Sequence, residues 1–290
     1  MRQDFLGISE QHNRETAALT DAFASHRGQV MTLIDASATD LLGHREGRCA
    51  AIALLGAGNC LDVDLNELAK RFDRIHLVDV DQTAVQAAVN SSRVAEQLRV
   101  HAPVDVAAPL MSLTSRDFRP DEDNRERCAE LLQKLSGDCF TSELPAVDIV
   151  ASLCVFSQII HTAGRLLNTD HPAFPNLLKA LRIGHLRRIL KLLKPGGIAI
   201  LVCDVVSSET APQLNSTAPN DLAELIRQLV GDGNFFSGTN PAMMLADLNL
   251  LTRLPHGPET VHTIDPWLWN LGNRTYAVYA LRIQKTRPES

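Results

Sequence analysis

The chain has 290 residues, 45% of them hydrophobic and 21% charged, with a net charge of −6, which suits one large globular domain or a core with a small appendage. The negative balance, with no Lys/Arg block interleaved with aromatics, argues against a nucleic-acid-binding protein driven by phosphate neutralisation. The opening MRQDFLGISEQHNRE has no apolar signal core, and the longest apolar run, around Ile198 to Val206, is too short to span a bilayer, so a cytoplasmic protein without a membrane partner is predicted.

In chain order, residues 9 to 43 read as helical, with Leu19, Ala22, Phe23, Val30, Leu33, Ile34 and Leu41 forming an apolar stripe, an interruption at Gly28 and a stop at Gly43. Residues 1–46 are accordingly expected to form an N-terminal helical cap, either a lid or a packing appendage, ahead of a main domain over 47–286. The stretch from Cys49 to Asp81 reads as strand, glycine turn, helix, strand. Cys49 to Leu55 is a nearly unbroken apolar run, as in a parallel strand covered on both faces. Gly56 and Gly58 end it, Asp64 with Glu67 starts a short helix, and Ile75 to Val80 forms the next strand, with Asp79 near its end. Asp81 is predicted to cap the following helix, and a third strand is expected over Leu98 to Val106.

Residues 107 to 125, with the charged run RDFRPDEDNRER from Arg116 to Arg127, read as a solvated loop. A helix from Arg125 to Leu135 leads to a fourth strand, Val147 to Val155, with Phe156, Ser157, Gln158 and His161 after it. A long helix, Phe174 to Leu193, stops at LKPGG and gives way to a fifth strand, Ile198 to Val205, with Asp204 at its exit. Helices over Asp221 to Val230 and Pro241 to Leu248 follow. A strand near Thr260 to Ile264 is then turned by Gly272-Asn273 into Arg274 to Gln284, closing an antiparallel hairpin.

The six cysteines contain no C-x-x-C pair and sit mostly in apolar runs, so they read as buried reduced thiols. No histidine pair has metal-ligand spacing, and no metal is expected.

The glycine turn alone does not choose between a dinucleotide and another cofactor. Here Cys60 stands where a third small residue is wanted, and Asp62 and Asp64 crowd the helix start. That charge opposes a diphosphate and suits a cationic ligand. Four stretches, ALLGAGNCLD, LVDVD, VDIVASLCVFSQ and LLKPGGIAILV, together resemble the class I S-adenosylmethionine-dependent methyltransferases, with Leu54 and Cys60 as departures from the family's first motif. The resemblance implies an α/β fold: a doubly wound, mostly parallel, Rossmann-like seven-stranded sheet with a C-terminal antiparallel hairpin. It implies S-adenosyl-L-methionine as cofactor, held by Gly56, Ala57, Gly58 and Asn59 at the turn, by Asp79 and Val80 at the ribose, by Asp105 and Val106 at the adenine, and by Ser152 and Leu153 at the fourth strand.

Phe156, Ser157 and Gln158 are the expected substrate pocket, and His161 the candidate general base. Without an N/D-P-P-Y or Pro-Cys signature at the fourth strand, the expected acceptor is an oxygen or nitrogen of a small molecule, methylated by in-line displacement. A homodimer is left open. The rival readings are a nicotinamide-dependent oxidoreductase and a non-catalytic relative that has kept the fold.

Overall fold

The computed structural model of the chain describes residues 5–43, 47–107, 110, 113–118, 122–137, 144–253 and 257–287. Of the predicted stretches, 1–4 and 44–46 of the N-terminal segment and 119–121 of the charged run lie outside these residues, as does Cys139. The other five cysteines are free thiols.

Seven strands form one sheet: β1 (Cys49–Leu55), β2 (Phe72–Val78), β3 (Leu98–His101), β4 (Val147–Leu153), β5 (Leu193–Ser207), β6 (Pro258–Leu271) and β7 (Arg274–Lys285). Their order is β3-β2-β1-β4-β5-β7-β6. The first five run parallel, and β7 enters antiparallel between β5 and β6. This is a doubly wound, mostly parallel sheet with a C-terminal antiparallel hairpin. The strand order reverses between β1 and β4, and open α/β sheets bind ligands in the crevice beyond the carboxyl ends at such a switch point.

The period-two alternation of β1 shows why both sheet faces are covered. Ala51, Ala53 and Leu55 join the core shared with α6 (Val155–Leu166), α7 (Phe174–Leu192), α8 (Leu222–Gly231) and α9 (Pro241–Leu251). Ile52 and Leu54 face the opposite core, shared with α2 (Ala24–Leu42), α3 (Leu65–Arg71) and α4 (Gln82–Ser91). In α2, Val30, Ile34 and Ala38 recur at helical spacing and are all but fully buried. Burying such a Val or Ile side chain contributes roughly 2 kcal/mol, enough to bind this helix to the sheet as one of its layers.

The N-terminal segment differs from its sequence reading in where it breaks. Gly28 lies inside α2 with open space around it, and the interruption falls between α1 (Phe5–Thr16) and α2, where Thr20–Phe23 form a 3-10 turn. A surface glycine weakens a helix without breaking it. The break is set by packing instead, because α1 lies against α6 while buried Phe23 anchors the start of α2 on Trp269. The third strand is also shorter than expected. It stops at His101, since Pro103 has no N–H to extend the ladder, and Asp105 and Val106 lie in the loop beyond it.

The predicted caps are present. The Asp64 side chain accepts from the amides of Asn66 and Glu67, the Asp81 side chain accepts from that of Ala84, and Gly43 closes α2 with positive φ. Among the described residues, no helix is long and apolar enough to cross a membrane, and no group of three or more His, Cys, Asp or Glu side chains could hold a metal ion.

α7 is unusual in burying polar groups along its length. Arg182 pairs with Asp247 of α9, and Arg188 donates to the Val106 carbonyl. Where α7 crosses α5 (Glu122–Ser136), a Cβ on Gly184 would overlap the Leu135 carbonyl. Gly184→Ala must therefore push the two helices apart, and we expect a loss of about 1–3 kcal/mol, read as a lowered denaturant midpoint. An unchanged midpoint would show that the crossing has slack.

Candidate active site

The carboxyl edge of the sheet between β1 and β4 is built around the turn that leaves β1. Gly56 (φ +73), Gly58 (φ +45) and Cys60 (φ +56) all adopt left-handed backbone, alternating with Ala57 and Asn59. The amides of Gly56 and Ala57 donate to the Val78 carbonyl at 3.0 and 3.2 Å, folding the turn across the end of β2. Gly56 is obligatory on two counts. Besides its φ, a Cβ there would stand 2.6 Å from the Cβ of Val155, at the start of α6. Cys60 thus takes, with a side chain, the conformation that a third glycine would adopt freely. Its thiol is buried, and burial pushes its pKa up, aided by the nearby charges of Asp62 and Asp79.

Asp79 fixes the turn from the next strand. Its Oδ2 accepts from the Gly58 amide and its Oδ1 from the Asp81 amide, both at 2.8 Å. The side chain is nearly buried, and that desolvation raises its pKa in spite of the two amides, which lower it. Val80 is buried beside it. In the loop after β3, the Asp105 side chain accepts from the Ala107 amide at 2.7 Å, while Val106 is buried under Arg188.

At the end of β4 the chain turns through Cys154, a second non-glycine residue with positive φ (+50). Leu153 and Cys154 line the cavity above the turn, together with Gly56 to Asn59 and Gln158. Ser152 does not reach that cavity. It is fully buried, and its hydroxyl lies 2.9 Å from Nε2 of His185, whose imidazole burial pushes down to about 3. Phe156 is also wholly buried, stacked on His185, and Ser157 donates to the Cys154 carbonyl. His161 is solvent-exposed on the second turn of α6 and does not line the cavity. Partial desolvation and Arg165 lower its pKa.

α1 closes the mouth. The Asn13 carboxamide donates to Asp81 Oδ2 at 2.9 Å, and the Asn13 carbonyl accepts from the Asn59 side chain at 2.7 Å. Asn13 Oδ1 stands 2.6 Å from where a Cβ on Gly58 would be, so it fills the approach that this glycine leaves free. Ser9 adds a hydrogen bond to Gln158. The empty volume of the cavity, open mouth included, is about 370 Å3.

Sequence reasoning left several residues out of the site. His12, Asn13, Phe23 and Trp269 line the cavity from elements remote in the chain, and no local pattern marks them. Asp204 is a different case: it does not line the cavity, and as an acid near the end of buried β5 it is a visible signal. It is 7% exposed, Ser157 lies within hydrogen-bonding reach, and Oδ1 has no partner. Burial raises its pKa, while the hydrogen bond from Ser157 lowers it.

No family model and no curated protein sequence matches the chain. Among solved structures it is similar to the N-methyltransferase NodS from Bradyrhizobium japonicum WM9 in complex with S-adenosyl-L-homocysteine, at 12% identity over 91% of this chain and 87% of that one, with a TM-score of 0.45. It is similar to a putative S-adenosyl-L-methionine-dependent methyltransferase from Methanococcus maripaludis, at 14% identity over 100% of this chain and 96% of that one, TM-score 0.42. It is also similar to an arsenic (III) S-adenosylmethionine methyltransferase from Chlamydomonas reinhardtii, at 12% identity over 89% and 75% of the two chains, TM-score 0.38. On its own strand order and terminal hairpin, the chain carries the class I methyltransferase fold.

The turn makes its own prediction. Left-handed backbone costs a residue with a side chain roughly 1–2 kcal/mol, and the Cys60 thiol recovers a similar amount by burial, so Cys60→Gly should melt close to the parent. Gly56→Ala, which sets a Cβ against Val155, should lose more than about 2 kcal/mol. Equal melting temperatures for all three proteins would show that the turn is not constrained.

Proposed function

We propose that this chain binds S-adenosyl-L-methionine at the turn after β1 and directs its methyl group to an oxygen or nitrogen of a small molecule. The observation that carries the reading is the run of three left-handed residues, Gly56, Gly58 and Cys60, pinned by Asp79 at the switch point of the sheet. The residues present suit that cofactor. An ionised carboxylate has about four acceptor sites, so Asp79 retains capacity for ribose hydroxyls beyond its two amides. Among the described lining residues there is no Lys or Arg to repel a sulfonium or to neutralise a pyrophosphate. Together with Asp62 and Asp64, this disfavours a nicotinamide dinucleotide.

In this reading Gly56 to Asn59 and Leu153 hold the amino-acid portion, Asp79 and Val80 the ribose, and Asp105 and Val106 the adenine. The bound cofactor supplies a methyl group on a positively charged sulfur, a good leaving group. What the protein adds is alignment and exclusion of water. α1, Phe23 and Trp269 shield the cavity, Ser157 and Gln158 flank the acceptor side, and Phe156 supports them from the core. For the acceptor's proton, Asp204 is the preferred group, since a buried carboxylate of raised pKa beside Ser157 is suited to take it. His161, further along α6, is the alternative.

Calorimetry tests the cofactor. S-adenosylhomocysteine should bind and NAD should not, and Asp79→Ala, losing a charge-assisted acceptor worth about 2–3 kcal/mol, should weaken binding roughly thirtyfold or more. Binding of NAD alone would overturn the reading.

Transfer of labelled methyl to small molecules of a cell extract tests the base. Asp204→Asn should lower turnover about a hundredfold and abolish the rise of rate with pH that ionisation of Asp204 produces, with His161→Gln near normal. The opposite order would give the proton to His161.

A further inference from the structure

Two polar groups in the cavity have no hydrogen-bonding role in the reading above. Asp62, on the loop ahead of α3, and Trp269, of β6, both line it. Trp269 is 5% exposed and the Asp62 side chain 17%, yet the indole N–H and Asp62 Oδ1 are buried without a hydrogen-bond partner in the protein.

Behind Asp62 stands His26 of α2, fully buried and stacked on Trp269 at 4.4 Å between ring centroids. Its Nδ1 accepts from the Trp267 indole at 3.1 Å, which leaves the ring proton on Nε2. That nitrogen lies 3.1 Å from Asp62 Oδ1, off the line of a good hydrogen bond. A ring that accepts at Nδ1 is not an imidazolium, so the histidine orients Asp62 without cancelling its charge. None of the described lining residues is Lys or Arg.

A carboxylate lacking a counter-charge and an indole N–H lacking an acceptor, on two residues that line the same cavity, are each costly to bury. A ligand that carries an ammonium next to a carboxylate satisfies both. We propose that Asp62 and Trp269 form a clamp for an α-amino-acid group, with Asp62 accepting from the ammonium and Trp269 donating to the carboxylate, and that it grips the methionine end of the cofactor. His26, backed by Trp267, positions Asp62. The proposal rests on the cofactor reading above, and goes beyond it in assigning these residues and the zwitterion they recognise.

The test compares S-adenosylhomocysteine with 5′-methylthioadenosine, which keeps the adenosine and the thioether sulfur but lacks the amino acid. By calorimetry, Asp62→Asn and Trp269→Phe should each weaken S-adenosylhomocysteine by roughly tenfold and leave 5′-methylthioadenosine within about twofold. Asp62→Asn keeps the shape of the side chain and Trp269→Phe keeps a smaller aromatic ring without the N–H, and a melting curve establishes which variants are folded. The conclusion is drawn from those. His26→Leu should reproduce the selective loss, and His26→Gln, which keeps a donor toward Asp62, should recover most of it. An equal effect on the two ligands, or none on S-adenosylhomocysteine, overturns the clamp. If wild-type protein binds neither ligand, the cofactor reading fails and the clamp with it.

Discussion

The architecture of the site depends on one buried carboxylate. Asp79 joins three segments that are far apart in the chain. Its side chain holds the Gly58 amide of the first turn and the Asp81 amide ahead of α4, its own amide donates to the His101 carbonyl at the end of β3, and its carbonyl accepts from Val104 in the loop beyond. Burying a carboxylate is tolerable only where donors surround it, and backbone N–H groups are the donors available at the end of a parallel strand. The same bonds leave the glycine turn little freedom, because its left-handed residues are held from below by Val78 and from the side by Asp79.

Asp81 extends the arrangement outward. One of its oxygens caps α4 and the other receives the Asn13 carboxamide from α1. The position of α1 over the mouth is therefore coupled to the capping of a helix on the sheet, and the cover rests on the same acidic corner as the turn. Among the described side chains of α1, few apolar groups tie it down. It is held by Asn13, Ser9 and its packing on α6, whereas α2 buries Val30, Ile34 and Ala38 against the strands. Elements held mainly by a few polar contacts open more readily than those held by buried apolar area.

The hairpin supplies the remaining wall. Trp267 and Trp269, two residues apart on β6, face the same side of the sheet and pack around His26 and Phe23 at the start of α2. Without the antiparallel pair β6-β7 next to β5, the first turn and α2 would have no aromatic floor between them. On the other side of the sheet, α7 uses its polar side chains internally. His185 takes the Ser152 hydroxyl and Phe156, so the end of β4 shows the cavity only Leu153, Cys154 and the first turn of α6.

Local chemistry made much of this legible from the sequence. The unbroken apolar runs of β1, β4 and β5, the capping acids Asp64 and Asp81, the glycine turn and the Gly272-Asn273 hairpin turn act over a few residues, where periodicity and backbone preference dominate, and together they specify the mostly parallel sheet with its antiparallel end. What the tertiary structure alone decided involves residues distant in the chain. The helix break fell at 17–23 because Phe23 had to reach Trp269. Ser152 and Phe156 turned into the core because α7 presents His185 to them. The alternation of a buried strand does not reveal which of its polar residues will meet a cavity. Asn13, His26, Asp62 and Trp269 come from four separate segments, and their meeting at one turn is a consequence of how α1, α2 and the hairpin close over the sheet.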